Sequence, residues 1–387
     1  MGNYIKEKNG VEYMLLNKIP IVSFFTGGGF LDIGFEDAGF ETVFTNEFDP
    51  CFAELYASGM SSLRNNIDYK ITSIESLTKL SPSYIEEKAF PYGKPLLWGI
   101  IGGPPCQDFT MNGKRTGFDG ERGRMTLVFF NRIRKMQPAF FLMENVPGLL
   151  YNKETKEILD SIVLKYCSDD YYLDRFVLNA LDFGTPQNRE RMFLIGLNKK
   201  YFIPPLKEIN DNIYTMNFTI PKPIFENAKT KFPWPKMNPF GETPIKNKLI
   251  PLELCVESCL EKDDKIANST EFFPLIKNIE QRKLIYEGDT VRHSYKRLHR
   301  YRYSPTACYG NNEVHLHPYE NRRLSVREVL RIQGVPDDYI LPSTISKTKK
   351  FRLIGNGVPI PLARAVANSL YLFLKSNCKY DIDNDVP

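Results

Sequence analysis

The chain has 387 residues, 42% of them hydrophobic and 25% charged, a globular composition with room for two or three domains. Its net charge of +5 allows a nucleic-acid partner without requiring one. Seven scattered cysteines without a Cys-x-x-Cys pair, four histidines, a polar N-terminus and no apolar run resembling a membrane span argue against a zinc site, an exported protein or a membrane protein, and for a reducing, cytoplasmic setting.

Residues 19–25 read as a buried strand. Thr26 and three glycines at 27–29 follow, then a helix over 30–39 with Leu31, Phe35 and Ala38 on one face. In a strand, glycine loop and helix the backbone can approach a ligand closely, and the helix start favours a polar or anionic group. The dinucleotide fingerprint needs a further glycine at position 32, where Asp32 stands, so a nicotinamide cofactor is disfavoured. The next strand, 42–47, ends in Glu47, twenty residues after Gly27. An acid placed there accepts hydrogen bonds from both hydroxyls of a ribose. Loop and acid together point to an adenosine-containing cofactor.

A strand over 95–101 is stopped by Gly102, Gly103, Pro104 and Pro105, which deliver Cys106 and then Gln107. Two prolines fix φ and remove two donors, so the thiol is held in a turn with few alternative shapes. A free cysteine is commonly just a small buried hydrophobe; this one is placed for chemistry. Residues 113–124 hold four glycines and four basic residues and read as a mobile loop able to close over an anionic substrate. Strands over 139–143, 175–179 and 191–197, with a helix over 154–166, complete an alternation that implies an α/β class, doubly wound sheet. Ligands of such sheets lie beyond the C-terminal ends of the strands. Gly27, Glu47, Cys106 and Glu144 fall at four such ends and define one site.

Beyond Lys200 the chain becomes proline-rich and irregular, and its periodicity stays weak until about residue 320, which implies a second, smaller domain. At its end, residues 292–303 carry Arg292, Lys296, Arg297, Arg300 and Arg302 interleaved with three tyrosines and no acid. That pattern suits phosphate contact with sugar or base packing. Helices are expected over 322–332 and 361–374, the latter opened by Gly355, Asn356, Gly357, Val358 and Pro359, before a polar tail.

These stretches resemble, in order and across nearly the whole chain, the motifs of cytosine-C5 DNA methyltransferases of the bacterial restriction–modification type. Phe25-Thr26-Gly27-Gly28-Gly29 resembles the family's cofactor loop, Asn46-Glu47 its ribose-binding acid, Gly103-Pro104-Pro105-Cys106-Gln107 its nucleophile motif and Glu144-Asn145-Val146 its glutamate motif. Gln187-Asn188-Arg189-Glu190-Arg191 looks like its arginine motif, and Arg322 to Glu328 and Gly355-Asn356 like its last two blocks. The chain departs from the pattern at Phe30, where a glycine is usual, at Gly357, where Ser or Ala is usual, and at Tyr69-Lys70-Ile71, where the family has Gly-Asp-Ile. Lys70 thus stands at the adenine-contacting Asp position, with Asp68 available by a shifted register. Either Arg122 or Arg124 matches the family's loop arginine.

The resemblance implies a Rossmann-like S-adenosylmethionine methyltransferase sheet with an irregular target recognition domain. It divides the chain into an extension (1–18), a catalytic and cofactor-binding domain (19–200), a recognition domain (201–310), a return to the catalytic domain (311–376) and a tail (377–387). Phe25, Thr26, Gly27, Gly29, Glu47, Phe48, Pro105, Asn356 and Val358 would contact S-adenosylmethionine. Gln107, Lys114, Arg115, Thr306 and the five basic residues of 292–303 would contact double-stranded DNA. The chain would act as a monomer, with no membrane and no metal, and a cognate restriction endonuclease would act on the same site without a stable complex.

The chemistry accounts for the residue types. C5 of cytosine is a poor nucleophile until a thiolate, here that of Cys106, adds at C6. Protonation at N3 relieves the charge this creates, a task for Glu144 with a raised pKa. By resemblance Arg191 would bind O2, supported by Arg189. A base inside duplex DNA cannot reach such a pocket and must flip out. The rival readings are the same chemistry on tRNA, a non-catalytic DNA-binding relative and a nicotinamide oxidoreductase. The Cys-Phe-Thr segment typical of the tRNA branch is missing, both the nucleophile and the acid are kept, and the dinucleotide glycine is missing.

Overall fold

Apolar residues at a period of two divide each central strand between two cores. Ile21, Ile101, Leu142 and Ile195 face one side of the sheet, and Val22, Ile100, Met143 and Leu194 face the other. The structure, a computed structural model, describes residues 3–6, 12–15, 18–67, 69–105, 123–210, 213–260, 263–275, 278–307, 309 and 314–380. Strands β1 (Asn3–Lys6) and β2 (Glu12–Leu15) pair antiparallel. The six-stranded sheet contains β3 (Ile19–Phe24), β4 (Phe40–Asn46), β5 (Gly99–Gly102), β6 (Phe140–Asn145), β7 (Tyr171–Asn179) and β8 (Glu190–Asn198), in the order β4-β3-β5-β6-β8-β7. The first four in that order are parallel, and β8 runs antiparallel to both its neighbours. From β3 the chain steps outward to β4 and then returns to the other side as β5. The strand order therefore reverses between β3 and β5, and a ligand crevice opens at their C-terminal ends.

Helix α1 (Phe30–Glu36) follows the glycine loop, and α2 (Pro50–Arg64) is capped by Asp49, whose carboxylate accepts from the Cys51 N–H, with Pro50 where no donor is needed. Crossovers contain α3 (Pro82–Ala89), α4 (Gly123–Met136), α5 (Gly148–Tyr151) and α6 (Lys153–Cys167). The second region has a short hairpin, β9 (Leu206–Asn210) with β10 (Ile213–Met216), and the single turns α7 (Ala228–Lys231) and α8 (Ile279–Arg282). The chain returns through α9 (Val326–Ile332), α10 (Lys347–Asn356) and α11 (Ile360–Asn377). Helix α11 packs on α1 over one face of the sheet, and α4 with α6 covers the other. A third core joins the regions: Val256, Leu298 and Val314 pack with Phe52, Leu55 and Met60 of α2 and with α9 and α10.

Several boundaries differ from those expected. Strand β6 runs on through Glu144 and Asn145. Helix α9 starts at Val326 rather than at 322, because Ser325 and Glu328 form a reciprocal capping box. Gly355 and Asn356 close α10 instead of opening the last helix, which begins at Ile360 after Pro359. The segment Lys347–Asn377 is, by length and composition, apolar enough to cross a membrane. Its apolarity has a local cause, since Leu362, Val366, Leu370 and Phe373 of α11 are buried in the core beside the sheet.

Candidate active site

The glycine loop hangs between β3 and α1 on left-handed backbone at Phe25 (φ 57°), Gly27 (φ 57°) and Gly29 (φ 73°). A Cβ on Gly29 would also lie 2.6 Å from the Tyr56 ring, so both conformation and space require glycine there. Glu47 stands just beyond β4. Its Oε2 accepts from the Gly27 N–H at 2.9 Å and its Oε1 from the Asp49 N–H at 2.9 Å. Burial pushes this carboxyl up, and those two backbone donors pull it back. Each oxygen keeps one acceptor position, the number that two ribose hydroxyls use. Beside it Phe48 is 68% exposed, an apolar ring with no place in the core. Spare carboxylate acceptors, an exposed ring and an opened glycine backbone at the sheet's switch point fit an adenosyl group. Thr26, expected to contact the cofactor, turns its hydroxyl back on Ser23, at 3.3 Å from its carbonyl and 3.2 Å from its Oγ.

The next strand ends hold the catalytic candidates. Glu144 is 8% exposed at the end of β6, and Arg191 Nε lies 2.8 Å from its Oε1. Burial pushes the Glu144 carboxyl above its ordinary range, opposed by Arg191 and then Arg189. Gly103 makes room for this carboxylate: a Cβ there would lie 2.8 Å from Oε2, and Arg191 prevents the carboxylate from moving aside freely. The adjacent Asn145 donates from Nδ2 to Pro104 O at 3.1 Å and accepts the Val146 N–H at 2.9 Å. Neighbouring residues of one motif thus divide the work, one presenting a buried acid and the other fastening the proline turn that leads to Cys106. Pro105 is half-buried at the end of the described turn. Cys106, Gln107, Lys114, Arg115 and Arg122 lie outside the described residues, as does Asp68; Arg124 is exposed in α4.

The family model for C-5 cytosine-specific DNA methylase matches residues 19–372. The chain belongs to this family. It is 33% identical over 401 residues to the Type II methyltransferase M.NmeDI of Neisseria meningitidis serogroup C, spanning 97% of this chain and 92% of the relative. It is 28% identical to the Type II methyltransferase M.FnuDI of Fusobacterium nucleatum, spanning 91% and 94% of the two chains. Among solved structures it resembles the Dnmt2 methyltransferase of S. pombe, with 17% identity, a TM-score of 0.57 and coverage of 93% and 99%. The Entamoeba histolytica methyltransferase EhMeth gives 14% identity, a TM-score of 0.57 and the same coverage. These two likenesses establish the fold. The protein is a DNA (cytosine-5)-methyltransferase, and enzymes of this family use S-adenosylmethionine.

In this methyltransferase the segment after α10 packs against the start of α1, beside the glycine loop. Gly357 lies against Phe30, the first residue of α1, and a Cβ on it would lie 2.3 Å from that ring. Val358 is buried in the core and Asn356 is exposed at the end of α10. Arg189, expected to support catalysis, is 1% exposed and donates to the carbonyls of Ala307, Gly355 and Gly357. It is a positioning residue that ties the arginine motif to the last block. Sequence reasoning missed Tyr339, whose buried hydroxyl donates to Gly28 O at 2.8 Å, and Gln333, which donates to Ile354 O at 2.7 Å. Nothing local marks either residue, since their partners lie 311 and 21 positions away. Lys70 is exposed, and its carbonyl accepts from Thr45 Oγ1 at 3.4 Å, beside the end of β4.

The basic stretch requires a correction. Arg297 is fully buried, and its guanidinium donates to the carbonyls of Ile285, His317, Glu320 and Arg282. Burial lowers its pKa to about 10. No phosphate can reach it. Arg300 is turned inward as well, with Nε and Nη2 on the buried Glu287 at 2.9 and 2.8 Å. Arg292 is exposed 3.5 Å from Asp289, while Lys296 and Arg302 are half-buried. Thr306 donates to Asn188 O at 2.7 Å and reaches the edge of a cavity beside Arg191.

Proposed function

We propose that this enzyme methylates C5 of one cytosine, flipped out of a specific duplex DNA site, through a covalent bond between Cys106 and C6. The buried Glu144–Arg191 pair, set against the Gly103 turn, is the observation that carries this reading. The Cys106 thiolate adds to C6, forming an S–C bond and pushing the C5–C6 π pair into the ring. Glu144, whose carboxyl burial pushes above its ordinary range against the pull of Arg191, gives a proton to N3 as charge develops there. Arg191 binds O2 and holds the carboxyl in register. S-adenosylmethionine, when bound, supplies an electrophilic methyl group to the enamine carbon. The C5 proton passes to solvent, its electron pair re-forms the C5–C6 double bond, Cys106 leaves with the S–C pair, and the N3 proton returns to Glu144, which restores the aromatic ring.

Phe25 packs on the adenine, Glu47 holds the ribose, and the Gly27 and Gly29 backbone admits the methionine end, with Phe48, Pro105, Asn356 and Val358 bordering the groove. Residues 19–200 and 311–376 form the catalytic body and 201–310 read the DNA, where Gln107, Lys114, Arg115, Arg292, Lys296, Arg302 and Thr306 make contacts. Residues 1–18 and 377–387 flank the catalytic body. The enzyme works as a monomer, and the Type II names of its relatives support a restriction endonuclease acting on the same site. The test is to incubate the enzyme with unmethylated duplex DNA and labelled S-adenosylmethionine, then map the product by bisulfite sequencing. Label on C5 of one cytosine in a recurring site is expected. Label on adenine, or on tRNA instead of duplex DNA, overturns the proposal.

A further inference from the structure

A cavity of about 340 Å³ opens beside Arg191 and is lined by Tyr151, Asn188, Glu190, Lys229 and Thr306 among others. It shares Arg191 with the catalytic pair, so it adjoins the position where the target ring meets Glu144. Its walls come from both parts of the molecule: Tyr151 closes α5, just after the glutamate motif, and Lys229 sits on α7. Three of the polar lining residues are already engaged. Asn188 accepts from Asn179 at 2.7 Å, Thr306 donates to the Asn188 carbonyl, and Arg191 holds Glu144 and the Glu190 carbonyl.

Tyr151 and Lys229 differ from these. Neither the phenol nor the ammonium hydrogen-bonds or pairs with another described residue, and Tyr151 is 69% exposed. The backbone at Lys229 is nonetheless fastened. Ala228 donates to Asp182 Oδ1 at 2.9 Å, and Trp234 Nε1 donates to the carbonyls of Ala228 and Lys229 at 3.1 Å. An exposed cation on fastened backbone and an exposed phenol thus stand at the mouth of this cavity, with Arg191 as a second cation and Glu190 as the one carboxylate among its lining residues.

An extruded base carries its own deoxyribose and flanking phosphates to that mouth. We propose that Lys229 pairs with a phosphate flanking the extruded cytidine while Tyr151 packs on its sugar and donates to the same phosphate. The two would hold the nucleotide out of the helix after it has turned. This inference rests on the base-flipping reading above. It concerns residues outside every motif that the sequence displays.

The test uses the duplex mapped by bisulfite sequencing, with the phosphate 5′ or 3′ to the target cytosine replaced singly by a neutral methylphosphonate. Lys229→Gln should raise KM for unmodified DNA roughly tenfold, with the loss on KM rather than kcat. One of the two methylphosphonates should cost wild type a similar factor and cost Lys229→Gln nothing further. Lys229→Arg should recover most of the loss, and Tyr151→Phe should lose less than Tyr151→Ala. Losses from Lys229→Gln and from both methylphosphonates that multiply, or a Lys229→Gln enzyme within twofold of wild type, overturn the proposal. A wild-type enzyme that places no methyl on C5 of cytosine would instead sink the base-flipping reading.

Discussion

Arg191 and Arg297, one from each part of this molecule, do opposite work. In the sheet body, Arg191 faces a carboxylate and lines a cavity. In the region after residue 250, Arg297 gives its donors to four backbone carbonyls, and Arg327 gives its own to those of Ala267, Pro336 and Tyr339. The difference lies in how each part satisfies its main chain. Six hydrogen-bonded strands pair their own carbonyls, which leaves side chains at the strand ends for chemistry. An irregular region has few ladders, so its buried carbonyls need long side chains with several donors, and the guanidinium supplies five. A run of arginines in such a region therefore counts as internal scaffolding before it counts as a DNA-binding surface.

The largest effect should come from the sheet body. Glu144→Gln should lower kcat by about 10² to 10⁴, the range for loss of a positioned general acid. It should also change the pH profile. Burial raises the Glu144 carboxyl, so the wild-type rate falls on the alkaline side as the carboxylate forms, and the glutamine variant lacks that limb. In the irregular region the same kind of deletion should strike stability. Arg297→Ala leaves four carbonyls short of a donor, two of them in fully buried bonds, and should cost about 3 kcal/mol or more in urea unfolding. Lys296→Ala, at the neighbouring and half-buried position of the same run, should leave stability within about 0.5 kcal/mol and make the slope of log K against log salt shallower by about 0.9. A soluble, stable Arg297→Ala protein with the shallower slope would reverse the distinction.

Smaller effects sharpen the cofactor side. Glu47→Ala should weaken S-adenosylmethionine binding by about 1.5–3 kcal/mol in calorimetry, the range for hydrogen bonds to a charged group, with DNA binding little changed. Asp32, at the start of α1, accepts from Ser23 at 2.7 Å and is 1% exposed, and burial pushes it up to about 7. Its folded pKa lies above its unfolded one. Its contribution to stability is thus fully present below about 3.8 and lost as pH rises through about 7. Wild type should gain up to about 2 kcal/mol between pH 8 and pH 5 from this group, and Asp32→Asn should flatten that part of the profile.

Much of the sheet body was legible in the sequence because its signals are local. Apolar runs, the glycine loop and the proline turn each fall within a few residues, and they located β3, β5 and the ends carrying Gly27, Glu47 and Glu144. Strand ends were legible less finely, since Glu144 and Asn145 remain in β6 until the ladder with β8 stops. The network that holds the site together was illegible. Arg189 to Gly355, Tyr339 to Gly28 and Gln187 to Gln333 are hydrogen bonds between distant residues, and no local pattern distinguishes those side chains from exposed ones. The 292–303 stretch misled for a related reason. Its composition is that of a surface, while Arg297 and His299 point into a core that the irregular fold creates around them.

The most direct measurement uses duplex DNA with 5-fluorocytosine at the target position. Addition of Cys106 at C6 and methyl transfer to C5 should both proceed, and the reaction should then stop. The next step removes the C5 substituent as a cation, which hydrogen permits and fluorine does not. A protein–DNA adduct that survives denaturing gels should therefore accumulate when S-adenosylmethionine is present. It should map to Cys106, disappear in Cys106→Ala and form slowly in Glu144→Gln. Methylation retained by Cys106→Ala, or an adduct mapped to another residue, would contradict a mechanism built on the cysteine that the proline turn delivers.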